Sequence, residues 1–292
     1  MLKNSFSHIP GIGIKTERRI WNQGIHTWDD AIQRLPDSVL KIQGAPFRWI
    51  LDESKVHLYR EDPVFFSKLL PSNLHWRLFP EFRNHVAFLD IETTGISEWE
   101  NEITTIALFD GKEIYHFING ENLHSFPERI EQYRLLVTYN GKSFDIPFIE
   151  RFFGIQLTCA HIDLRYVLKS LGFKGGLKGC EKQIGIDRGI LNGVDGFFAV
   201  LLWKEYRTTR NPRILETLLA YNISDVLSLE ELMIESYNLK LLDTPFSDLL
   251  CIEKPAVRNN PFIPDLYIIE KIRDNYLRGS SDYTMRLSNE FK

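Results

Sequence analysis

A chain of 292 residues with 43% hydrophobic residues, 25% charged residues and a formal net charge of −4 has an ordinary globular composition, with room for one large domain or a mid-sized one beside a smaller neighbour. It contains no run of eighteen apolar residues, and its first eight residues lack an apolar core, so neither a membrane span nor a signal peptide is expected. Three widely spaced cysteines (Cys159, Cys180, Cys251) without a C-x-x-C, and eight histidines without an H-E-x-x-H, argue against a disulfide framework or a zinc centre and suit a reducing cytoplasm. The charge is uneven. Residues 1–60 carry nine Lys or Arg against six Asp or Glu, an excess of three positive charges on an otherwise acidic chain. Such a balance suits a metal-dependent enzyme with a separate grip on nucleic acid, rather than a coat protein that binds it through bulk charge.

The first predicted element is His8 to Gly24, H-I-P-G-I-G-I-K-T-E-R-R-I-W-N-Q-G. Pro10, Gly11 and Gly13 make a tight turn, and the helix after it has Ile14, Ile20 and Trp21 as its buried stripe and Gly24 as its stop. Thr27 opens a second helix, with Asp30 placed as its capping-box partner. The I-P-G-I-G turn resembles a helix-hairpin-helix element, whose hairpin offers backbone N–H groups to a phosphate. That resemblance puts Lys15, with Arg18 or Arg19, against a nucleic-acid backbone. The alternative is a small helical cap that uses its glycines only to turn. Short helices broken at Pro46, Pro63 and Pro71 complete a helical region over residues 1–75.

From His85 the pattern turns to strands. Val86 to Leu89 is a buried run that ends in Asp90 and Glu92, and it is followed by strands at Ile103–Phe109 and Glu113–Ile118 across an Asp110-Gly111 turn. Side chains two apart on a strand share a face, so Asp90 and Glu92 stand side by side. Two such charges about 4 Å apart repel by roughly 4 kcal/mol at an effective dielectric of ~20, which a divalent cation would offset. The competing view is a strand that ends in water with both acids solvated.

A fourth buried strand, Leu135 to Tyr139, leads into T-Y-N-G-K-S-F-D-I-P-F-I-E, Thr138 to Glu150. Ser143 is the expected N-cap and Asp145 lies at the start of a helix, as a dipole-stabilised carboxylate or as a site residue. Asp163, in H-I-D-L-R, reads as a strand-end or cap residue. Leu218 to Met233 is helical, with Leu215, Leu219, Asn222, Val226, Leu229 and Met233 along one stripe. Tyr221 and Asp225 are four apart and stack on one face at its edge. From Pro261 a last amphipathic helix carries Leu266, Ile269, Ile272 and Tyr276, a stripe suited to packing on the core.

Taken together, D-I-E, N-x-x-x-x-D and Y-x-x-x-D in that order resemble the three exonuclease motifs of the DEDD superfamily, in its tyrosine branch. The position of a histidine-branch base is filled by Tyr221. That branch includes the proofreading domains of family B DNA polymerases. H-I-D-L-R, G-G-L-K (Gly175–Lys178) and D-G-F-F-A-V-L-L-W narrow the resemblance to small stand-alone exonucleases of the YprB type. The resemblance implies an α/β fold, an RNase H-like mixed sheet flanked by helices, over residues 84–240, with a C-terminal extension over 241–292. It also implies a 3′–5′ exonuclease in which Asp90, Glu92 and Asp225 hold one Mg²⁺ or Mn²⁺ ion, and Asp90 with Asp145 holds a second about 4 Å away. Tyr221 would position the attacking water. Thr93, Thr94, Asn140, Lys142, Lys174 and Lys178 are the candidate substrate contacts. DNA is the favoured partner because of the hairpin, with RNA as the alternative, and no membrane partner is expected. The competing function is a catalytically inactive nucleic-acid-binding module on a nuclease fold; all four acids and the tyrosine being intact weighs against it.

Overall fold

The computed structural model describes residues 1–35 and 47–276, so the expected break at Pro46 lies outside the described residues. β1 (Val86–Thr93), β2 (Ile103–Phe109) and β3 (Ile114–Ile118) form an antiparallel meander. β4 (Leu135–Thr138) lies parallel to β1, and β5 (Ala160–Asp163) parallel to β4, in the order β3-β2-β1-β4-β5. This is a mixed sheet flanked by helices, an RNase H-like fold. Its fifth strand was foreseen only as far as the strand-end reading of Asp163: four residues, of which His161 alone is partly exposed, leave no readable period.

β1 explains why the acids face where they do. Val86 and Phe88 join one apolar cluster, while Ala87, Leu89 and Ile91 join another on the opposite face of the sheet. The alternation carries Asp90 and Glu92 onto the face of Val86 and Phe88. A register shift between Glu92 and Thr93 then ends the regular pairing with β2. The Asp110-Gly111 hairpin forms as expected. Gly111 takes a φ of +88°, and Asp110 Oδ1 accepts the N–H groups of Lys112 and Glu113 at 2.9 and 2.8 Å.

The amino-terminal helices are α1 (Ile14–Asn22), α2 (Trp28–Arg34), α3 (Phe47–Tyr59), α4 (Pro63–Leu69) and α5 (Phe79–Phe82). Their Trp28, Phe66 and Phe82 belong to the same apolar cluster as Phe88 of β1. The Thr27–Asp30 capping box is present, and Gly24 follows the C-cap of α1 with a φ of +73°. Pro63 opens α4 behind an Asp62 cap, and Pro71 precedes a 3₁₀ stretch. The stripe of α1 needs correction. Ile14 is exposed, and Glu17 is buried in its place, because its carboxylate turns inward to Arg77, the Ser5 hydroxyl and the N–H groups of Phe6 and Ser7.

Further helices are α6 (Phe126–Ile130), α7 (Asp145–Phe153), α8 (Leu164–Ser170), α9 (Gly176–Ile184), α10 (Gly196–Thr209), α11 (Pro212–Leu241) and α12 (Ser247–Leu250). α6 and α7 cover the Leu89 face. α11, opened by an Asn211 cap and Pro212, lies against β1 and β2 on the other. Ser143 is not the cap of α7: Phe144 holds that position without a side-chain bond, and Asp145 is the first helical residue. Residues 266–276 are helical and pack on the core as expected, through Ile268, Ile269 and Ile272, leaving Leu266 and Tyr276 of the expected stripe exposed. Among the described residues no helix is long and apolar enough to cross a membrane.

Candidate active site

The strand alternation and the i, i+4 spacing on α11 meet at one point. Asp90 and Glu92 reach from the end of β1 toward α11, whose Asp225 reaches back, and their carboxylate oxygens lie within 4.8 Å of one another. Glu92 and Asp225 are buried, whereas Asp90 is partly open to the cleft. Asp145, also buried, is tied to β1 by the Ile91 N–H at 3.2 Å and stands outside that tight group.

Burial, followed by the charges of Asp225 and Asp145, pushes the Asp90 carboxyl well above the usual range; an Asn222 hydrogen bond and Lys178 oppose it. Glu92 is driven up by burial and then by Asp90 and Asp225. Burial raises Asp145 to about 7, against the pull of the Ile91 N–H. The donor set is oxygen only, crowded and negative, which fits a hard divalent cation and offers no sulfur or imidazole to a softer one.

A stability test follows from Asp145. Its folded pKa, about 7, exceeds the ordinary 3.8, so its charge costs folding energy as pH rises through that window and nothing below it. In EDTA, Asp145→Asn is therefore expected to match wild type near pH 4 and to become more stable by a few kcal/mol, as an order of magnitude, above about pH 7. Urea unfolding across that range checks it. A gap independent of pH would contradict an origin in the buried Asp145 charge.

Tyr221 is buried beside Asp225, with the Lys178 ammonium 4.7 Å and the Arg188 guanidinium 5.4 Å from its ring centroid. Burial, then the negative charges of Asp225, Glu92 and Asp90, hold its proton far above the usual phenol range. Asn222 is fully buried; it donates to Asp90 Oδ2 at 2.7 Å and accepts from the Thr105 hydroxyl at 3.0 Å. Sequence reasoning placed it in an apolar stripe, although an amide in such a stripe is itself a signal of a buried polar partner. Arg188 was missed outright. It joins Glu181 at 2.8 Å and Asp225 at 2.6 Å from a turn whose sequence gives no hint of burial.

These groups open into a cleft of about 980 Å³. Thr93, Thr94, Asn140, Lys174 and Lys178 line it, and so do Arg165 and Lys169 of α8, which sequence reasoning passed over. Lys178 donates to Asp225. The threonine hydroxyls are engaged locally, Thr93 with the Gly95 carbonyl at 2.5 Å and Thr94 with Asn101 at 3.2 Å. Asn140 sits at a φ of +67°, with its N–H on Asp163 and its side-chain oxygen accepting from Arg165. Asp163 is structural as expected, capping α8 and taking the N–H groups of Asn140 and Lys142. A side chain at Gly141 would press into the buried Thr138 side chain, so this turn favours glycine. Lys142 and Lys15 are exposed and are not among the residues lining the cleft.

Among solved structures the chain is similar to the family B DNA polymerase from the hyperthermophilic archaeon Pyrobaculum calidifontis, at 17% identity and a TM-score of 0.39 over 54% of this chain and 24% of that one. It is also similar to a nuclease solved in its apo form, at 20% identity and a TM-score of 0.39 over 55% of this chain and 75% of that one. The matched part thus spans 24% of the polymerase chain. No curated protein matches. The profile of the RNase_H superfamily matches residues 87–237, which takes in the sheet from Ala87 onward, the carboxylates of the cleft and most of α11. On that match, which covers more than half of the residues, the chain belongs to the RNase_H superfamily.

Proposed function

We propose that this protein is a metal-dependent 3′–5′ exonuclease of the tyrosine-branch DEDD type. In this reading it hydrolyses single-stranded nucleic acid from its 3′ end, DNA in preference to RNA, and releases nucleoside monophosphates. The observation that carries it is the convergence of Asp90, Glu92 and Asp225 within 4.8 Å beside Asp145 and Tyr221, in a cleft edged by basic side chains. Membership of the RNase_H superfamily supports hydrolysis of nucleic acid.

Asp90, Glu92 and Asp225 would hold one ion, and Asp90 with Asp145 the second, Mg²⁺ or Mn²⁺. When bound, such ions activate water and stabilise charge on the departing 3′-oxygen. Asn222 fixes one oxygen of Asp90, so that carboxylate is presented in a single orientation. Tyr221, which keeps its proton, orients the attacking water by hydrogen bond rather than removing a proton from it. Lys178, Lys174, Lys169 and Arg165 steer the phosphates along the cleft. The nuclease domain spans residues 84–240 and the extension 241–292; residues 1–75 form a second grip, with exposed Lys15, helped by Arg18 or Arg19, against the nucleic-acid backbone.

Tyr221→Phe is expected to lower kcat by about 10- to 100-fold with KM and Mn²⁺ affinity little changed, the signature of a lost water-orienting hydroxyl. Steady-state kinetics beside calorimetric Mn²⁺ titration checks it. For the function itself, 3′-labelled and 5′-labelled single-stranded DNA and matched RNA are incubated with Mg²⁺, Mn²⁺ or EDTA. The expected result is metal-dependent release of the 3′ label as a mononucleotide, with the 5′-labelled strand shortening stepwise and DNA consumed faster. Binding without cleavage under every metal condition would overturn the reading in favour of a non-catalytic nucleic-acid-binding module.

A further inference from the structure

Two cations converge on one oxygen of Asp225, and they are held very differently. Arg188 Nη2 lies 2.6 Å from Asp225 Oδ1, and the same guanidinium meets Glu181 at 2.8 Å. Its side chain is 6% exposed and that of Glu181 is 1%, so withdrawing Arg188 would strand a buried carboxylate. Lys178 meets the same Oδ1 with a side chain that is 32% exposed. It lines both the main cleft and a neighbouring cleft of about 740 Å³ over Asp187 and Asn192, so its flexible stem has open space on two sides. Arg188 is a fixed clamp on Asp225. Lys178 is a removable one.

We propose that Lys178 competes with the divalent ion for Asp225: its ammonium must leave that carboxylate for the ion to bind, and the ammonium so released turns into the cleft, where it meets a substrate phosphate. This rests on the exonuclease reading above and adds an order to it, because the lysine becomes free for substrate only once the ion is in place. The Lys178 charge also lies close enough to ease the crowding of Asp90 and Glu92, so the exchange swaps one positive charge for two at the point of greatest repulsion.

The test is calorimetric titration of Mn²⁺, without substrate, into wild type, Lys178→Met, Lys178→Gln, Lys178→Arg and Asp90→Asn. Both neutral variants are expected to bind Mn²⁺ about tenfold more tightly than wild type, and the arginine variant no more tightly. A lysine that only braced the fold, with no charge set against the ion, would lower affinity on removal. In EDTA the neutral variants are also expected to melt below wild type and to gain more from added Mn²⁺. Equal or weaker Mn²⁺ binding by both neutral variants, with wild-type binding intact and lost in Asp90→Asn, would overturn the competition and leave the exonuclease reading standing. No Mn²⁺ uptake by wild type would overturn both.

Discussion

Replacing Asp90 with asparagine is expected to lower metal-dependent hydrolysis by about 10³-fold or more while leaving the protein folded. Asp90 is the one carboxylate assigned to both ions, and it stands where β1 meets α11. Its Oδ2 receives the Asn222 amide at 2.7 Å, a bond that an asparagine side chain can accept through its own oxygen. The substitution thus removes charge with little change of shape. Because burial and the neighbouring carboxylates make that charge costly, the variant is expected to melt above wild type in EDTA and to lose most of the gain from added Mn²⁺. Single-turnover rates and thermal melts with and without Mn²⁺ measure both effects. A variant that keeps its rate would show that hydrolysis does not run through this cluster.

The second large effect lies at residues that do not line the cleft. Arg77→Met leaves Glu17 as an unpaired carboxylate, 0% exposed, and is expected to cost about 3–5 kcal/mol, enough to unfold a marginal domain. The pair is bidentate, at 2.8 and 2.9 Å, and Glu17 also takes the N–H groups of Phe6 and Ser7. It joins the amino-terminal segment and α1 to the 3₁₀ stretch that leads toward β1. Burial raises the Glu17 pKa, but Arg77 and those N–H groups outweigh it, and the net shift is downward. A carboxylate lowered in the folded protein stabilises it above its ordinary value of 4.5 and loses that contribution as pH falls further. Adding Glu17→Gln to Arg77→Met is expected to recover part of the loss, since the buried charge is then gone. Urea unfolding of the single and double variants measures the difference; equal stability of wild type and Arg77→Met would contradict a structural role for this pair.

How much of this was legible in advance follows from the range of each interaction. β1 to β4 were read from apolar runs and an Asp-Gly turn, signals carried by neighbouring residues, and β2 was found at its observed bounds. The acids were legible because side-chain periodicity on a strand and a helix turns spacing into a shared face, so Asp90, Glu92, Tyr221 and Asp225 arrive together. What escaped, in whole or in part, depends on partners distant in sequence. β5 is a four-residue strand at the sheet edge, paired with β4. Glu17 is buried because Arg77, sixty residues away, comes to meet it, which no helical pattern around Ile14 can announce. Arg188 and Asn222 are set by contacts across the site. Ser143 was a reasonable cap on composition, but the chain turns so tightly at Asn140-Gly141 that α7 begins behind Phe144 instead.

The most direct measurement is the anomalous difference map of a crystal soaked in Mn²⁺. The expected result is two peaks beside Asp90, one shared with Glu92 and Asp225 and the other with Asp145. A map with no peak at this cluster, or with its only peaks elsewhere on the protein, would contradict the two-ion account.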